Sequence, residues 1–357
     1  MMKGLKKWRL FSLLAALTVF LTGCGEEYLS TLRPAGETGQ EQFNLLVLST
    51  SIMVLVIVVV VVIYILALLK FRRSKLGENH IPKQVEGNHT LEMIWTVIPI
   101  ILLLILAVPT VYYTYKQGDV AGAEMKDEEG NAQNLVVNVT AKLYWWEFEY
   151  PDLGIVTSQE LVVPTDEKVY FNLKAGDVKH SFWIPAVGGK MDTNVDNLNK
   201  FYLTFDKESE GLKDGVFYGK CAELCGPSHA LMDFKVKSMN RGDFDNWVAA
   251  MQKTAEPATP ASATAQAGQD VFNASCIGCH AVSGAGPANA VGPNLATFGD
   301  RNRIGGFLEH DEENLKNWIK NPQKYKPGNV MPAFESKLSN EELDALAEYL
   351  MGLSVEQ

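Results

Sequence analysis

The chain has 357 residues, enough for two or three domains, and its 47% apolar content is unevenly spread, with three long apolar runs inside the first 115 positions. A net charge of -10 argues against nucleic acid as a partner. Five cysteines, an odd number in a chain that opens on an export signal, require an individual account of each.

The first 24 positions, MMKGLKKWRLFSLLAALTVFLTGC, place Lys3, Lys6, Lys7 and Arg9 before an apolar stretch from Leu10 to Leu21. A charged n-region followed by a short h-region is an export signal, not structure. The closing LTGC resembles the lipobox of bacterial lipoproteins. That resemblance implies a signal peptide over 1–23, cleavage before Cys24, and a diacylglycerol on the Cys24 sulfur with palmitate-type acylation. An ordinary signal or an uncleaved anchor is the alternative.

A segment over 24–117 follows, with predicted membrane spans at about 45–69 and 92–115. Gln42 to Leu69 and Met93 to Tyr115 carry no charge, and each run exceeds the roughly 20 residues a bilayer core requires. Valine-rich runs are poor helices in water, but in lipid the backbone must bond within its own segment, so helix is the expected state. Lys70, Arg72, Arg73, Lys75 and Lys83 lie between the spans and mark a cytoplasmic loop. The N-terminus and everything after the second span then face outward from a bacterial cell membrane, in agreement with the export signal. Glu92 opens the second span, where a carboxylate complements the helix dipole and Thr90 or Asn88 can cap.

From Leu135 the pattern changes to short β-rich runs, including LVVNVTA, YWWEFEY, QELVVP, KVYFNLKA, KFYLTF, GVFYGK and DFKVKSM, separated by Gly, Pro, Asp and Asn. This spacing predicts an antiparallel sandwich or barrel, assigned to 118–252. TAEPATPASATAQ has no apolar period and reads as a linker over 253–266. Residues 267–357 read as an all-α domain. In it Leu343, Leu346, Ala347 and Leu350 share one helical face, Ser339 with Glu342 fits a capping box, and Leu338 can staple onto Leu343. A tether of this length holds its cargo at millimolar effective concentration.

Two stretches carry chemistry. The first along the chain is CAELCGPSHALM at 221–232. A disulfide between Cys221 and Cys225 would leave His229 and Met232 unexplained. Zinc could take Cys221, Cys225, His229 and the upstream His180, but zinc has little use for a thioether. Thiolate, imidazole and thioether together suit copper. Two thiolates, two imidazoles, one thioether and one carbonyl exceed the needs of a single small ion, and they fit two coppers if both thiolates bridge.

The second is CIGCH at 276–280, the attachment sequence for c-type haem. Cys276 and Cys279 lie one turn apart for two thioether bonds, and His280 follows as an iron ligand. A zinc half-site would need further ligands, and the domain offers only His310. Met331, in the Pro-bounded NVMPAF, is the expected sixth ligand, and Met351 at the end of an amphipathic helix is the rival. His/Met ligation raises the potential. GPNL at 292–295 resembles the class I cytochrome c loop whose proline carbonyl orients the axial histidine, here Pro293 and His280.

CAELCGPSHALM together with HSFWIP at 180–185 closely resembles the dinuclear copper (CuA) site of cytochrome c oxidase subunit II. The C-terminal haem segment resembles the cytochrome c domain fused to that subunit in caa-type bacterial oxidases. The resemblance implies a two-helix hairpin, an all-β cupredoxin-like sandwich and an all-α class I cytochrome c domain. It implies copper ligation by His180, Cys221, Cys225, His229, Met232 and the Glu223 carbonyl. It adds a magnesium or manganese ion shared with subunit I, reached by the Glu223 carboxylate. It places Glu92 at the mouth of a proton channel, and Lys190 and Asp192 against subunit I. Implied partners are subunit I, subunit III, a small subunit IV, an external cytochrome c-type donor and the lipid bilayer. The implied activity is electron delivery for reduction of dioxygen to water coupled to proton pumping.

One departure stands out. Where many members of the family read Trp-Tyr-Trp, with the first Trp receiving electrons, this chain has Tyr144, Trp145 and Trp146, so these three are candidate electron-transfer aromatics with an altered arrangement. Two other readings remain: the copper-bearing small subunit of a nitric oxide reductase, and a zinc-binding membrane lipoprotein.

Overall fold

The computed structural model describes residues 12, 23, 25–77, 80–81, 83–256, 258–286 and 290–355. Cys24 and the body of the export signal lie outside the described residues.

Two long helices form the apolar hairpin, α1 over Glu37–Lys70 and α2 over His89–Gln117. Both extend past the spans expected from charge alone, because the polar residues flanking each apolar run continue the same helix. The Asn88 side chain caps α2 by accepting from the Leu91 N–H at 3.1 Å, which places Glu92 in its first turn. Pro99 and Pro109 sit inside α2, an arrangement tolerated more readily in lipid than in water. At the opposite ends of the two helices Glu41 pairs with Lys116 and accepts from Gln117. The apolar side chains along both helices are exposed, as a lipid-facing surface requires.

The β region forms a sandwich of two five-stranded sheets. One sheet takes β1 (Leu135–Lys142), β2 (Trp145–Tyr150), β3 (Ile155–Ser158), β5 (Lys168–Ala175) and β8 (Asn199–Thr204), in the order β3-β2-β1-β5-β8. The other takes β4 (Glu160–Pro164), β6 (His180–Trp183), β7 (Met191–Thr193), β9 (Phe217–Cys221) and β10 (Asp233–Met239), in the order β4-β10-β9-β6-β7. The sheets are mixed, which corrects the antiparallel expectation. β1 pairs with β5, and β4 with β10, in parallel. The chain leaves the first sheet after β3 and supplies β4 to the second before returning, so β5 arrives beside β1 in the same direction.

An aromatic core joins the sheets. Phe182 stacks on Phe234 with ring centroids 4.8 Å apart, and Trp146 packs 5.2 Å from Phe234. All three are fully buried, and each such side chain contributes roughly 1.5–3 kcal/mol relative to exposure. Phe182 lies on the same short strand as His180, so this packing also fixes the strand that presents that imidazole.

Helix α3 (Arg241–Lys253) closes the sandwich, and Asn240 caps it. The next helix, α4, runs Ala263–Ser275 with Ser262 as its cap. Residues 263–266, expected in the linker, are therefore its first turn, because Ser262 satisfies the Ala265 N–H and starts the helix early. The C-terminal domain adds α5 (Glu312–Lys320) and α6 (Asn340–Met351). Ser339 and Glu342 form the capping box on α6. Phe272 of α4 packs on Tyr349 of α6 in a core that also holds Leu343, Leu346 and Leu350.

Candidate metal centre and haem crevice

The copper-type donors gather at one end of the sandwich. His180 opens β6, Cys221 ends β9, and Met232 stands just before β10. The loop between β9 and β10 carries Glu223, Cys225 and His229. Its return is set by the Cys221 N–H donating to the Met232 carbonyl at 3.2 Å and the Ala222 N–H to the Ser181 carbonyl at 2.9 Å. A short turn over His229–Leu231 brings the last two donors inward.

The donor atoms form a continuous chain. His180 Nδ1 lies 3.9 Å from Cys221 Sγ, which lies 3.9 Å from Cys225 Sγ. Cys225 Sγ lies 3.6 Å from His229 Nδ1 and 3.8 Å from Met232 Sδ. Cys221 Sγ is 3.3 Å from the Glu223 carbonyl oxygen, while the Glu223 side chain is exposed. The two sulfurs form no disulfide. His180 and Met232 are fully buried.

Electrostatics match a thiolate-based site. The hydrogen bond from Cys225 holds the Cys221 thiol down to about 3, and the same contact pushes the Cys225 thiol up. Burial lowers the affinity of His180 for a second proton, but hydrogen bonds with Asp177 and Cys221 outweigh it and raise the group overall. His180 Nε2–H donates to Asp177 Oδ1 at 2.9 Å, which fixes the tautomer and leaves Nδ1 facing the sulfurs. Asp177 is absent from the sequence expectations. A carboxylate three residues before a ligand histidine was the one signal for it. The donor set of two thiols, two imidazoles, a thioether and a carbonyl fits a copper pair.

The second site is a cavity of about 190 Å³, walled by Cys276, Cys279, His280, Pro293 and Met331 from the helical domain. His280 Nδ1–H donates to the Pro293 carbonyl at 2.8 Å, leaving Nε2 for the cavity. Burial lowers the proton affinity of His280, and the nearby Arg301 adds to this. Cys276 is pushed up to about 11 by burial and by the adjacent Cys279 thiol. A Cβ on Gly292 would lie 2.7 Å from the His280 ring, so the loop is cut to the imidazole. Met331 lines the cavity and Met351 does not. Two cysteines, a neutral oriented histidine and a thioether around an apolar slot fit a covalent haem.

The three aromatics separate. Tyr144 and Trp145 wall the haem cavity from the sandwich side. Trp146 points into the sandwich, where its Nε1–H donates to the Met232 carbonyl at 3.3 Å and its ring lies 6.2 Å from the His180 ring. Elsewhere Lys190 stands over the Trp183 ring at 5.5 Å, and Asp192 pairs with Lys179 at 3.3 Å.

Three family descriptions match the chain. They are the transmembrane domain of cytochrome c oxidase subunit II over residues 34–112, its periplasmic domain over 155–239, and cytochrome c over 265–354. Cytochrome c oxidase subunit 2 of Bacillus sp. (strain PS3) is 60% identical over 359 aligned residues, covering 100% of both chains. The protein of that name from Bacillus subtilis (strain 168) is 54% identical, covering 98% of this chain and 99% of its own. Among solved structures, the periplasmic domain of subunit II of the Bradyrhizobium japonicum cytochrome oxidase is 30% identical with a TM-score of 0.31, over 33% of this chain and 94% of that one.

Proposed function

We propose that this chain, which belongs to the cytochrome c oxidase subunit II family, holds a copper pair on His180, Cys221, Cys225, His229, Met232 and the Glu223 carbonyl, and one haem on Cys276, Cys279, His280 and Met331. The chain is the electron-carrying subunit of a haem–copper oxidase, and reduction of dioxygen belongs to the complex it forms with subunit I. The observation that carries the site assignment is the unbroken run of nitrogen and sulfur donors from His180 to Met232, with spacings of 3.6–3.9 Å. When bound, the two groups supply reversible one-electron chemistry.

The protein's own residues prepare both places. Asp177 holds His180 in one tautomer, and Pro293 does the same for His280. The aromatic core behind His180 keeps water from the metal end of the sandwich. Tyr144 and Trp145 do so for one wall of the haem cavity, and we assign them with Trp146 to the route between the centres. On the same reading the exposed Glu223 carboxylate reaches a magnesium or manganese ion shared with subunit I, and Glu92 stands at a proton-channel mouth. Subunits III and IV complete the assembly, and a cytochrome c-type protein is the external donor. The hairpin anchors the chain in the cell membrane, with the N-terminus and both redox domains on the outer face. Cys24 carries lipid.

Purification from detergent-solubilised membranes through a tag on this chain tests the reading. A large haem–copper subunit should copurify, and the complex should take up dioxygen from reduced cytochrome c. Uptake of nitric oxide without dioxygen, or isolation of the chain alone with zinc, would contradict it.

A further inference from the structure

The loop bearing Met331 and the loop bearing the copper donors meet at one buried junction. Ser228 lies between Cys225 and His229, is fully buried, and its Oγ–H donates to the Pro327 carbonyl at 2.6 Å. The Tyr144 side chain reaches the same junction and is itself only 4% exposed. Two glycines with positive φ close around its hydroxyl, Gly226 at 134° and Gly328 at 82°. A Cβ on Gly226 would fall 2.5 Å from the Tyr144 oxygen, and one on Gly328 would fall 3.1 Å from both that oxygen and Pro227 Cγ. From Pro327 the chain reaches Asn329, whose Oδ1 accepts from the Met331 N–H at 2.9 Å and whose Nδ2 donates to the Lys326 carbonyl at 2.6 Å. One hydrogen bond therefore joins a residue flanked by two copper donors to a tightly bonded turn that ends at Met331.

The contact is part of a fixed register between the two domains. The Asn294 N–H donates to Ser158 Oγ at 2.9 Å, the Val156 N–H to the Gly284 carbonyl at 2.9 Å, and Lys142 Nζ to the Ala290 carbonyl at 2.8 Å. Arg303 pairs with Asp214 at 2.6 Å. Backbone groups take part in three of these bonds. They demand one alignment, unlike the loose charge matching of a transient encounter.

We propose that Ser228 and Tyr144 are positioning residues that clamp the Met331 loop onto the copper-donor loop, so that transfer between the two centres runs in one docked geometry, not through a search by a tethered domain. This rests on the site assignments above. It replaces the view of the linker as the element that brings the centres together: the linker need only permit the junction to form. It also accounts for Tyr at position 144. Its hydroxyl fills the space that a side chain at Gly226 or Gly328 would take.

The test uses the complete complex with Ser228→Ala, Tyr144→Phe and Gly328→Ala. In each, the haem absorption spectrum and the copper paramagnetic spectrum are recorded first, and should match the parent. Haem-to-copper transfer after flash photoreduction should then slow on the order of tenfold or more, as expected for displaced reacting groups, and acquire a dependence on salt. Amide hydrogen exchange across 326–331 should accelerate in the same variants. Transfer rates and exchange within about twofold of the parent, with both centres loaded, would overturn the proposal. So would a changed copper spectrum in Ser228→Ala with no change in exchange, since the hydroxyl would then act on the metal and not on the clamp. Should Gly328→Ala not fold, Ser228→Ala and Tyr144→Phe decide the matter. Absence of copper or haem from the parent complex would contradict the site assignments instead, and would be seen before any variant is compared.

Discussion

The two redox domains build their sites in opposite ways. At the copper end the donors come from a sheet: His180 begins a strand, Cys221 ends one and Met232 precedes another, and the polypeptide brings sulfur within 3.9 Å of sulfur by itself. At the haem end Cys276 to His280 and Met331 lie on irregular segments on two sides of an apolar cavity of about 190 Å³. The sandwich has an aromatic core behind its donor set, whereas the core of the helical domain borders a cavity that a covalent haem would fill. A metal site can thus be an addition to a finished fold, while a haem site is part of the core it occupies.

The largest expected effect breaks this comparison most openly. Cys276→Ser with Cys279→Ser should prevent haem attachment and destabilise the helical domain, because the apolar walls of the cavity would then face water. Stripping copper with a chelator should leave the sandwich folded. Calorimetry with limited proteolysis reads both. Equal loss of structure in the two cases would remove the contrast.

Next are the two methionine sulfurs. Met331→Ala should keep the haem covalently attached but lose its low-spin His/Met spectrum and lower its potential, whereas Met351→Ala should leave the spectrum unchanged. The reverse result in absorption and redox titration would reassign the ligand. At the copper end, Met232→Leu should retain two metals with a shifted potential, because axial ligands tune copper–thiolate sites. His229→Ala should lose or unbalance one metal position, and metal analysis with paramagnetic resonance separates these outcomes.

The smallest effect concerns pH. Lys235 is buried over the Tyr218 ring at 3.7 Å, with its Nζ 3.4 Å from the Gly306 carbonyl, and burial holds it down to about 8. In the unfolded chain a lysine titrates near 10.4, so between these values the unfolded state binds more protons and stability rises with pH. Below pH 8 the folded chain bears the full cost of a buried ammonium. Lys235→Met should flatten the rise between about pH 8 and 10.4 in thermal melts, and an unchanged slope would assign the rise elsewhere.

Much of this was legible before any coordinates. The uncharged runs, the β-rich segments and the helical C-terminal face each follow from local pattern, and CIGCH and CAELCGPSHALM carry their chemistry in their spacing. Other features depend on contacts distant in sequence. His180 on its four-residue strand, together with β3 and β7, is too short for alternation to register. The parallel pairings depend on where crossovers pass, which residue type does not encode. Asp177 matters only through its carboxylate against His180, a contact that the local sequence pattern does not encode. The bond from Ser228 to Pro327 spans 99 positions. Tyr144 registered only as a departure from a pattern, and its reason emerged once both loops around its hydroxyl were in view.

Cys221 and Cys225, with His180, His229 and Met232, would hold the copper pair. Copper and zinc quantification per chain on the purified complex, combined with paramagnetic resonance of the oxidised form, tests it most directly. The account predicts two coppers in this subunit sharing one unpaired electron, with no Cys221–Cys225 disulfide after denaturation and metal removal under non-oxidising conditions. One zinc, a single isolated copper, or a disulfide between those cysteines in the native complex would contradict it.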